Sequence, residues 1–306
     1  MKYLFYFIIV LSFQQCTQPI TNPLNEPEKK LVISSFFTAD EPMTVWVGYP
    51  HDILIDTLLY EANAMVKLYE DGQFIENLNH TLEGHYQSNY YLKTGKTYRI
   101  EVETDELSAS AEDEIPEQVL ADSAFYEFVE LPDWNSFQRY QFVFQDIPNV
   151  DNYYEFLLLT TNYNEFDDLW GVGFVSSVRK NDPILENEIS SPFLFSDKLI
   201  GGQRYEINLD TENGSSSDTS HNDLNLGFIV GDYKNYLVFR TISKTYFDFQ
   251  KSWKQHYDNQ NTVAFYNNTP DVGMASFSEV QPLYTNIENG YGIFVAYQEQ
   301  IIPFEE

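Results

Sequence analysis

The sequence predicts an all-β protein: an N-terminal immunoglobulin-like β-sandwich followed by a larger β-rich domain with one amphipathic helix. Aromatic residues are abundant, with 24 Phe, 23 Tyr and 4 Trp among 306 residues, and such side chains suit the pleated, half-buried surface of a strand. Short segments alternate between apolar and polar residues, and turn residues separate them. A stripe of aromatic residues at helical spacing occurs near residue 250 and predicts the helix.

Residues 31–114 have the pattern of a sandwich. Tyr98, Ile100 and Val102 alternate with charged residues, which gives a period of two. The alternating segment at 64–69 ends at Asp71-Gly72, a pair typical of a turn. Roughly seven such strands in about eighty residues predict an immunoglobulin-like sandwich. Because the paired cysteines of antibody domains are missing, the prediction concerns the architecture alone.

A boundary is predicted at residues 112–116, which are acidic and end in Ile115-Pro116. The second domain, 118–306, contains further alternating segments at 125–129, 140–144, 154–160, 205–209, 226–230, 236–241 and 293–297. Its helix is marked by a stripe of four aromatic residues, and Ser243 or Thr245 can cap its start. An aromatic stripe at this spacing is typical of the core side of a helix. The stripe comprises Tyr246, Phe249, Trp253 and Tyr257.

Residues 1–15 predict a signal peptide. Lys2 provides a short positive region, and residues 3–13 are apolar apart from Ser12. This apolar segment is too short to span a bilayer, which needs about 20 helical residues, and no later segment is apolar enough. The sequence therefore predicts export without a transmembrane helix.

Cys16, the single cysteine, follows the apolar segment directly and has no partner for an intramolecular disulfide. We predict that it is lipidated and that residues 16–30, with three prolines, form a tether between the membrane and the fold. The preceding residues depart from the usual lipobox, because Gln15 is not small. The alternative is a cysteine inside a peptide that is cleaved elsewhere.

The formal charge is −30, from 47 acidic and 17 basic residues. Such a charge repels polyphosphate, so nucleic acid is not an expected partner. An acidic loop beside Trp170 is a weak candidate for a cation or a sugar, and a solvated loop is the simpler interpretation. Its acidic members are Glu165, Asp167 and Asp168.

Catalytic motifs are missing from the sequence. It contains no Gly-x-Ser-x-Gly elbow and no His-Glu-x-x-His motif, and one cysteine excludes a thiolate metal cluster within the chain. Gly95-Lys96-Thr97 matches only the end of a phosphate-binding loop, because position 90 is Tyr. We therefore predict no enzymatic activity, no catalytic residue and no cofactor.

Several short motifs recur along the chain, and their glycines indicate turns and close backbone approach rather than a site. The most specific is the closing pattern at 286–294, Asn-Ile-x-Asn-Gly-x-Gly-x-Phe. The others are Gly84-His85-Tyr86, 95–102, 151–154, Phe195-Ser196-Asp197, Gly201-Gly202-Gln203 and 242–246. Together, over roughly residues 16–300, they resemble a family of Bacteroidota envelope lipoproteins of unknown function, the domain-of-unknown-function family numbered forty-two forty-nine.

This resemblance implies an outer-membrane lipoprotein, often encoded beside TonB-dependent outer-membrane receptors, and it supplies no catalytic residues. The expected function is that of an accessory or ligand-binding partner of such a transporter, with an unknown ligand. The alternatives are a structural or adhesive surface lipoprotein, and an unrecognised glycan-active hydrolase. Residues 17–24 contain no acidic residue, whereas surface-displayed members tend to carry acidic residues there, so the cell-surface and periplasmic faces both stay open.

Overall fold

A computed structural model describes residues 28–51, 59–131, 136–164, 169–175, 178–180, 182–185, 192–212, 235–260, 265–266, 269–270 and 282–305. Strands dominate these residues, and one α-helix accompanies them. The predicted all-β fold class with a single helix is confirmed. Within the described residues, no helix is long and apolar enough to cross a membrane.

The N-terminal half is a two-sheet sandwich. Its strands are β1 (Leu31–Phe37), β2 (Pro42–Tyr49), β3 (Leu59–Tyr60), β4 (Met65–Glu70), β5 (Gln73–Asn77), β6 (Asn79–His80), β7 (His85–Tyr91), β8 (Thr97–Glu103) and β9 (Ser108–Glu114). One sheet has the order β5-β4-β8-β9, and the other contains β1, β2, β7 and β6, with β3 also paired to β2. The inward positions of β8, Tyr98, Ile100 and Val102, are fully buried between the sheets, as their alternation predicts.

The second half adds a four-stranded sheet and extends the sandwich sheet that contains β1 and β2. Its elements are β10 (Ala121–Val129), β11 (Phe137–Gln145), β12 (Tyr153–Asn164), β13 (Leu169–Phe174), β14 (Val178–Lys180), β15 (Phe193–Ser196), a 3-10 turn (Asp197–Leu199), β16 (Arg204–Glu212), β17 (Asn235–Ile242), α1 (Lys244–Gln260), β18 (Phe265–Tyr266), β19 (Thr269–Pro270) and β20 (Gly290–Pro303). The four-stranded sheet has the order β10-β11-β16-β14. Fully buried aromatic rings, including Phe142, Phe144, Phe156 and Phe239, fill the core of this half.

The last strand, β20, lies in the middle of a ten-stranded sheet. Eight of its strands follow the order β13-β12-β17-β20-β1-β2-β7-β6, while β15 pairs with β12 and β3 pairs with β2 beside this path. Residues 290–296 pair in parallel with β1, and residues 297–303 pair antiparallel with β17. The domain boundary expected near residue 114 stays a prediction. The structure adds that one sheet extends through both halves of the chain.

The helix α1 packs on the sheet mainly through its first turns. Ser243 caps it, because its Oγ accepts the N–H of Tyr246 at 3.0 Å. Tyr246 is only 4% exposed, Phe249 is half-buried, and Trp253 is 48% exposed. The interpretation of the stripe as core is therefore right at Tyr246 and wrong at Trp253. Periodicity places residues on one helix face, but it does not reveal how far the sheet extends beneath that face.

Candidate functional site

The site residues predicted from the sequence lie outside the described residues. This applies to Cys16, the predicted lipidation site, and to Glu165, Asp167 and Asp168, the weak metal candidates. These assignments remain predictions. Among the described residues, no group of three or more His, Cys, Asp and Glu side chains could hold a metal ion.

A polar cleft of about 340 Å³ lies at one end of the sandwich, and its volume is in the range of small-molecule sites. Four separate segments form it: the residues just before β1, the end of β2, the turn between β3 and β4, and the loop between β8 and β9. Lys29 places the cleft beside the point at which the chain enters the fold. The lining residues are Lys29, Tyr49, Glu61, Asn63, Thr104, Asp105, Glu106 and Leu107.

Tyr49 and Glu61 form the most defined pair in the cleft. The Tyr49 hydroxyl donates a hydrogen bond to Glu61 Oε2, and the Asn63 backbone N–H donates to Glu61 Oε1 at 2.7 Å. Burial, and then the Glu61 carboxylate, raise the pKa of Tyr49 to about 12. The hydrogen bond from Tyr49 is the largest influence that lowers the pKa of Glu61. Near neutral pH, Glu61 is therefore an ionised acceptor and Tyr49 a protonated donor.

The rim of the cleft is acidic and exposed. Asp105 and Glu106 join Glu61, and Lys29 forms an ion pair with Glu106. Three carboxylates thus face one ammonium group, and Asn63 and Thr104 add polar groups. This arrangement suits a polar or cationic ligand that donates hydrogen bonds. Neither member of the Tyr49–Glu61 pair has a pKa close to 7, the condition that favours general acid–base catalysis.

A second polar cluster, formed by the loop between β11 and β12 and the turn between β15 and β16, brings three of the family-like motifs together. Asp146 Oδ1 accepts hydrogen bonds from Tyr154 and, at 3.1 Å, from the side chain of Asn152. Its other oxygen accepts the N–H of Gly202. Asp197 Oδ2 accepts the N–H of Asn152 at 3.0 Å. The contacts of Gly202 with Asp146 and of Asn152 with Asp197 join the two loops, so the cluster has a structural role.

Asp197 forms the turn ahead of Gly201-Gly202 through its backbone, because its carbonyl oxygen accepts the N–H groups of Ile200 and Gly201. Its side chain bonds to Asn152 instead. Burial first, and then the nearby charges of Asp146 and Asp151, raise the pKa of Asp197, against the opposing hydrogen bond from Asn152. The carboxylate is therefore held by its neighbours and joins two loops.

A buried ion network lies between the ten-stranded sheet and α1. Arg240 on β17 contacts Glu155 on β12 at 2.7 Å and Glu299 on β20 at 2.6 Å. From the helix, Gln250 donates to Glu155 at 3.0 Å and the Tyr246 hydroxyl does so at 3.3 Å. The Glu155 side chain is fully buried. These contacts fix the helix to three strands and leave the network enclosed.

The comparisons with known proteins agree with the motif resemblance. A family model described as Domain of unknown function (DUF4249) matches residues 17–301, nearly the whole chain. No curated protein matches the chain. The matched range includes the sandwich, the cleft and the closing motif before β20.

Proposed function

Because the chain belongs to the domain-of-unknown-function family DUF4249, we propose that it is a non-catalytic outer-membrane lipoprotein. In this proposal Cys16 carries the lipid, and the folded part is an accessory or ligand-binding partner of a TonB-dependent outer-membrane transporter. The cleft at the end of the sandwich is the contact site for a polar or cationic group, either of a ligand or of the partner.

The position of the cleft relative to Cys16 supports this proposal. Lys29 lines the cleft and follows Cys16 by 13 residues, a span of at most about 45 Å even if fully extended. A lipid on Cys16 would hold the cleft within that distance of the membrane surface. A transporter in the same membrane is then within reach.

The electrostatics of Tyr49 and Glu61 are the observation on which binding, rather than catalysis, depends. The raised pKa of Tyr49 and the lowered pKa of Glu61 keep the pair in one protonation state near neutral pH. An ionised carboxylate that is already oriented by two hydrogen bonds loses little freedom when it accepts another donor. Such a group suits recognition, because binding does not require it to exchange a proton.

The experiment is co-purification from detergent-solubilised membranes with cleft and control variants. Asn63 and Asp105 are exposed, so Asn63→Ala with Asp105→Ala should leave the fold stable. We expect this variant to lose an outer-membrane barrel protein that the wild type retains. The matched control, Asn79→Ala with Glu130→Ala, changes exposed residues outside the cleft and should retain it.

Two other outcomes contradict the proposal. Equal retention of the barrel by the cleft variant and the wild type places the contact elsewhere. Hydrolysis of a glycan by the wild type, lost in Glu61→Gln while the fold is kept, shows an enzyme instead. The first outcome removes the cleft from the proposal, and the second points to the glycan-active hydrolase that the sequence leaves open.

A further inference from the structure

The closing motif, residues 286–292, lies between the two halves of the molecule. Residues 286–289 precede β20, and residues 290–292 are its first three residues. The strand pairs first with β1 of the sandwich and then with β17 of the second half. The motif is the first part of the pattern at 286–294, the most specific of the family-like patterns. It contacts the sandwich through both side chains and backbone.

Asn286 joins the motif to two strands. Its Nδ2 donates to the carbonyl oxygens of Phe294, at 2.7 Å, and Glu112, at 3.2 Å, while its Oδ1 accepts the N–H of Phe294 at 3.0 Å. A single amide side chain thereby connects β20 with the end of β9. An apolar residue of the same size cannot form these three hydrogen bonds.

The next residues continue the attachment. Ile287 is buried in the core of the sandwich. Glu288 forms backbone hydrogen bonds with Ser110 in both directions, at 2.8 and 3.2 Å, and its carboxylate accepts the Ser110 hydroxyl at 3.0 Å. Asn289 then has a φ of 57°, a left-handed conformation that reverses the chain into β20.

Gly292 allows β20 to lie directly against β1. A Cβ atom at this position would be 2.0 Å from the carbonyl oxygen of Ile33, and the φ of Gly292 is 100°. Both the left-handed backbone and the close approach require glycine. Any side chain at this position would separate the two strands.

Beyond the motif, β20 leads into the second half. Its residues 297–303 pair with β17, and Phe304 packs in the aromatic core of that half. Between these regions, Asp113 of β9 accepts hydrogen bonds from the Ala296 N–H, at 2.8 Å, and from Ser243, the residue that caps α1. The strand and the helix start are thus fixed to the sandwich at the same place.

We propose that the 286–292 motif is a docking clasp, which attaches β20 to the sandwich and makes the two halves a single cooperative unit. In this proposal the motif neither binds a ligand nor takes part in a reaction. A substitution in the clasp therefore destabilises strands of the second half that do not contact it.

The test is hydrogen exchange of the full chain across a denaturant series, followed separately for β8 in the sandwich and for β11 in the second half. Neither strand pairs with β20. In the wild type we expect both strands to lose their highest protection at the same denaturant midpoint. Gly292→Ala should lower the two midpoints by the same amount.

Gly72→Ala is the matched control. Gly72 also has a left-handed φ, 77°, but a Cβ atom there would meet no other atom within 4 Å. Its midpoint shift should be equal in both strands and clearly smaller than that of Gly292→Ala. If Gly292→Ala does not yield soluble protein, Asn286→Ala replaces it, with the same expectation of equal shifts.

Three results would overturn the proposal. The first is a wild type whose two strands have different midpoints, and the second is a clasp variant that shifts β8 and leaves β11 unchanged. Either one means that the halves are independent. The third is a shift for the clasp variant no larger than that for Gly72→Ala, which removes any special role from the motif.

Discussion

Arg240→Met should strongly destabilise the protein, because it removes the positive centre of the network beneath α1. The Glu155 side chain is fully buried, and Arg240 provides its nearest positive charge at 2.7 Å. After the substitution, the Glu155 carboxylate keeps, among the described residues, the hydrogen bonds from Tyr246 and Gln250. Removing one partner of a buried ion pair costs about 3–5 kcal/mol, a large part of a typical free energy of unfolding of about 5–15 kcal/mol.

The measurement is urea unfolding at pH 7, followed by circular dichroism and extrapolated to water. Lys244→Met is the control, because the Lys244–Asp248 pair is exposed and of the i,i+4 type, which is worth about 0.3–0.5 kcal/mol. Adding Glu155→Gln to Arg240→Met removes the uncompensated charge and should restore much of the stability. The reasoning is refuted if Arg240→Met costs no more than Lys244→Met, or if the double variant is as unstable as the single one.

Three further predictions concern the anchor, the helix and a buried acid. Cys16→Ala should release the protein from membranes, and sedimentation of this variant with membranes after a high-salt wash would locate the anchor elsewhere. Trp253→Ala should cost only about 1 kcal/mol because the ring is half-exposed, whereas Phe239→Ala in the aromatic core should cost about 3–5 kcal/mol; equal costs in denaturant unfolding would contradict this. Burial raises the pKa of Asp113 to about 6, against opposing hydrogen bonds from Ser243 and its other neighbours. Folding therefore favours the protonated form of Asp113. Its contribution to the free energy of unfolding is largest below about pH 4 and is lost as the pH rises through about 6. Relative to Asp113→Asn, the free energy of unfolding should fall by about 2 kcal/mol between pH 4 and 7, and a pH-independent difference would contradict this.

Features that depend on neighbouring residues were predictable from the sequence. The alternation at 98–102 identified the inward face of β8, since a strand places successive side chains on opposite faces. Asp71-Gly72 has the left-handed φ values, 49° and 77°, that its composition indicates. Ser243 is the cap of α1 because its hydroxyl accepts a free N–H group at the helix start.

The pairing of distant strands could not be predicted in the same way. Alternation shows which face of a strand is buried, but it is the same for every partner that offers an apolar face. Nothing local therefore indicates that residues 290–296 pair in parallel with β1 at the other end of the chain. The prediction of close backbone approach at Gly292 was right, while the partner, Ile33, became known only from the structure.

The candidate site was missed for a related reason. Tyr49, Glu61 and Asp105 come from three segments, and each is an ordinary polar residue near a turn. Their proximity follows from the packing of the sandwich and leaves no spacing pattern in the sequence. A single-sequence search recognises motifs within one segment, so it had no signal for this cleft.

The most direct test of the proposed function is the composition of the complex purified from solubilised outer membranes. The tagged, full-length protein with Cys16 intact would be captured under mild detergent, and the co-purified proteins quantified by mass spectrometry. The account predicts one TonB-dependent barrel protein in a stoichiometric ratio close to one. Capture of the lipoprotein alone, with the same barrel abundant in the unbound fraction, would contradict the account.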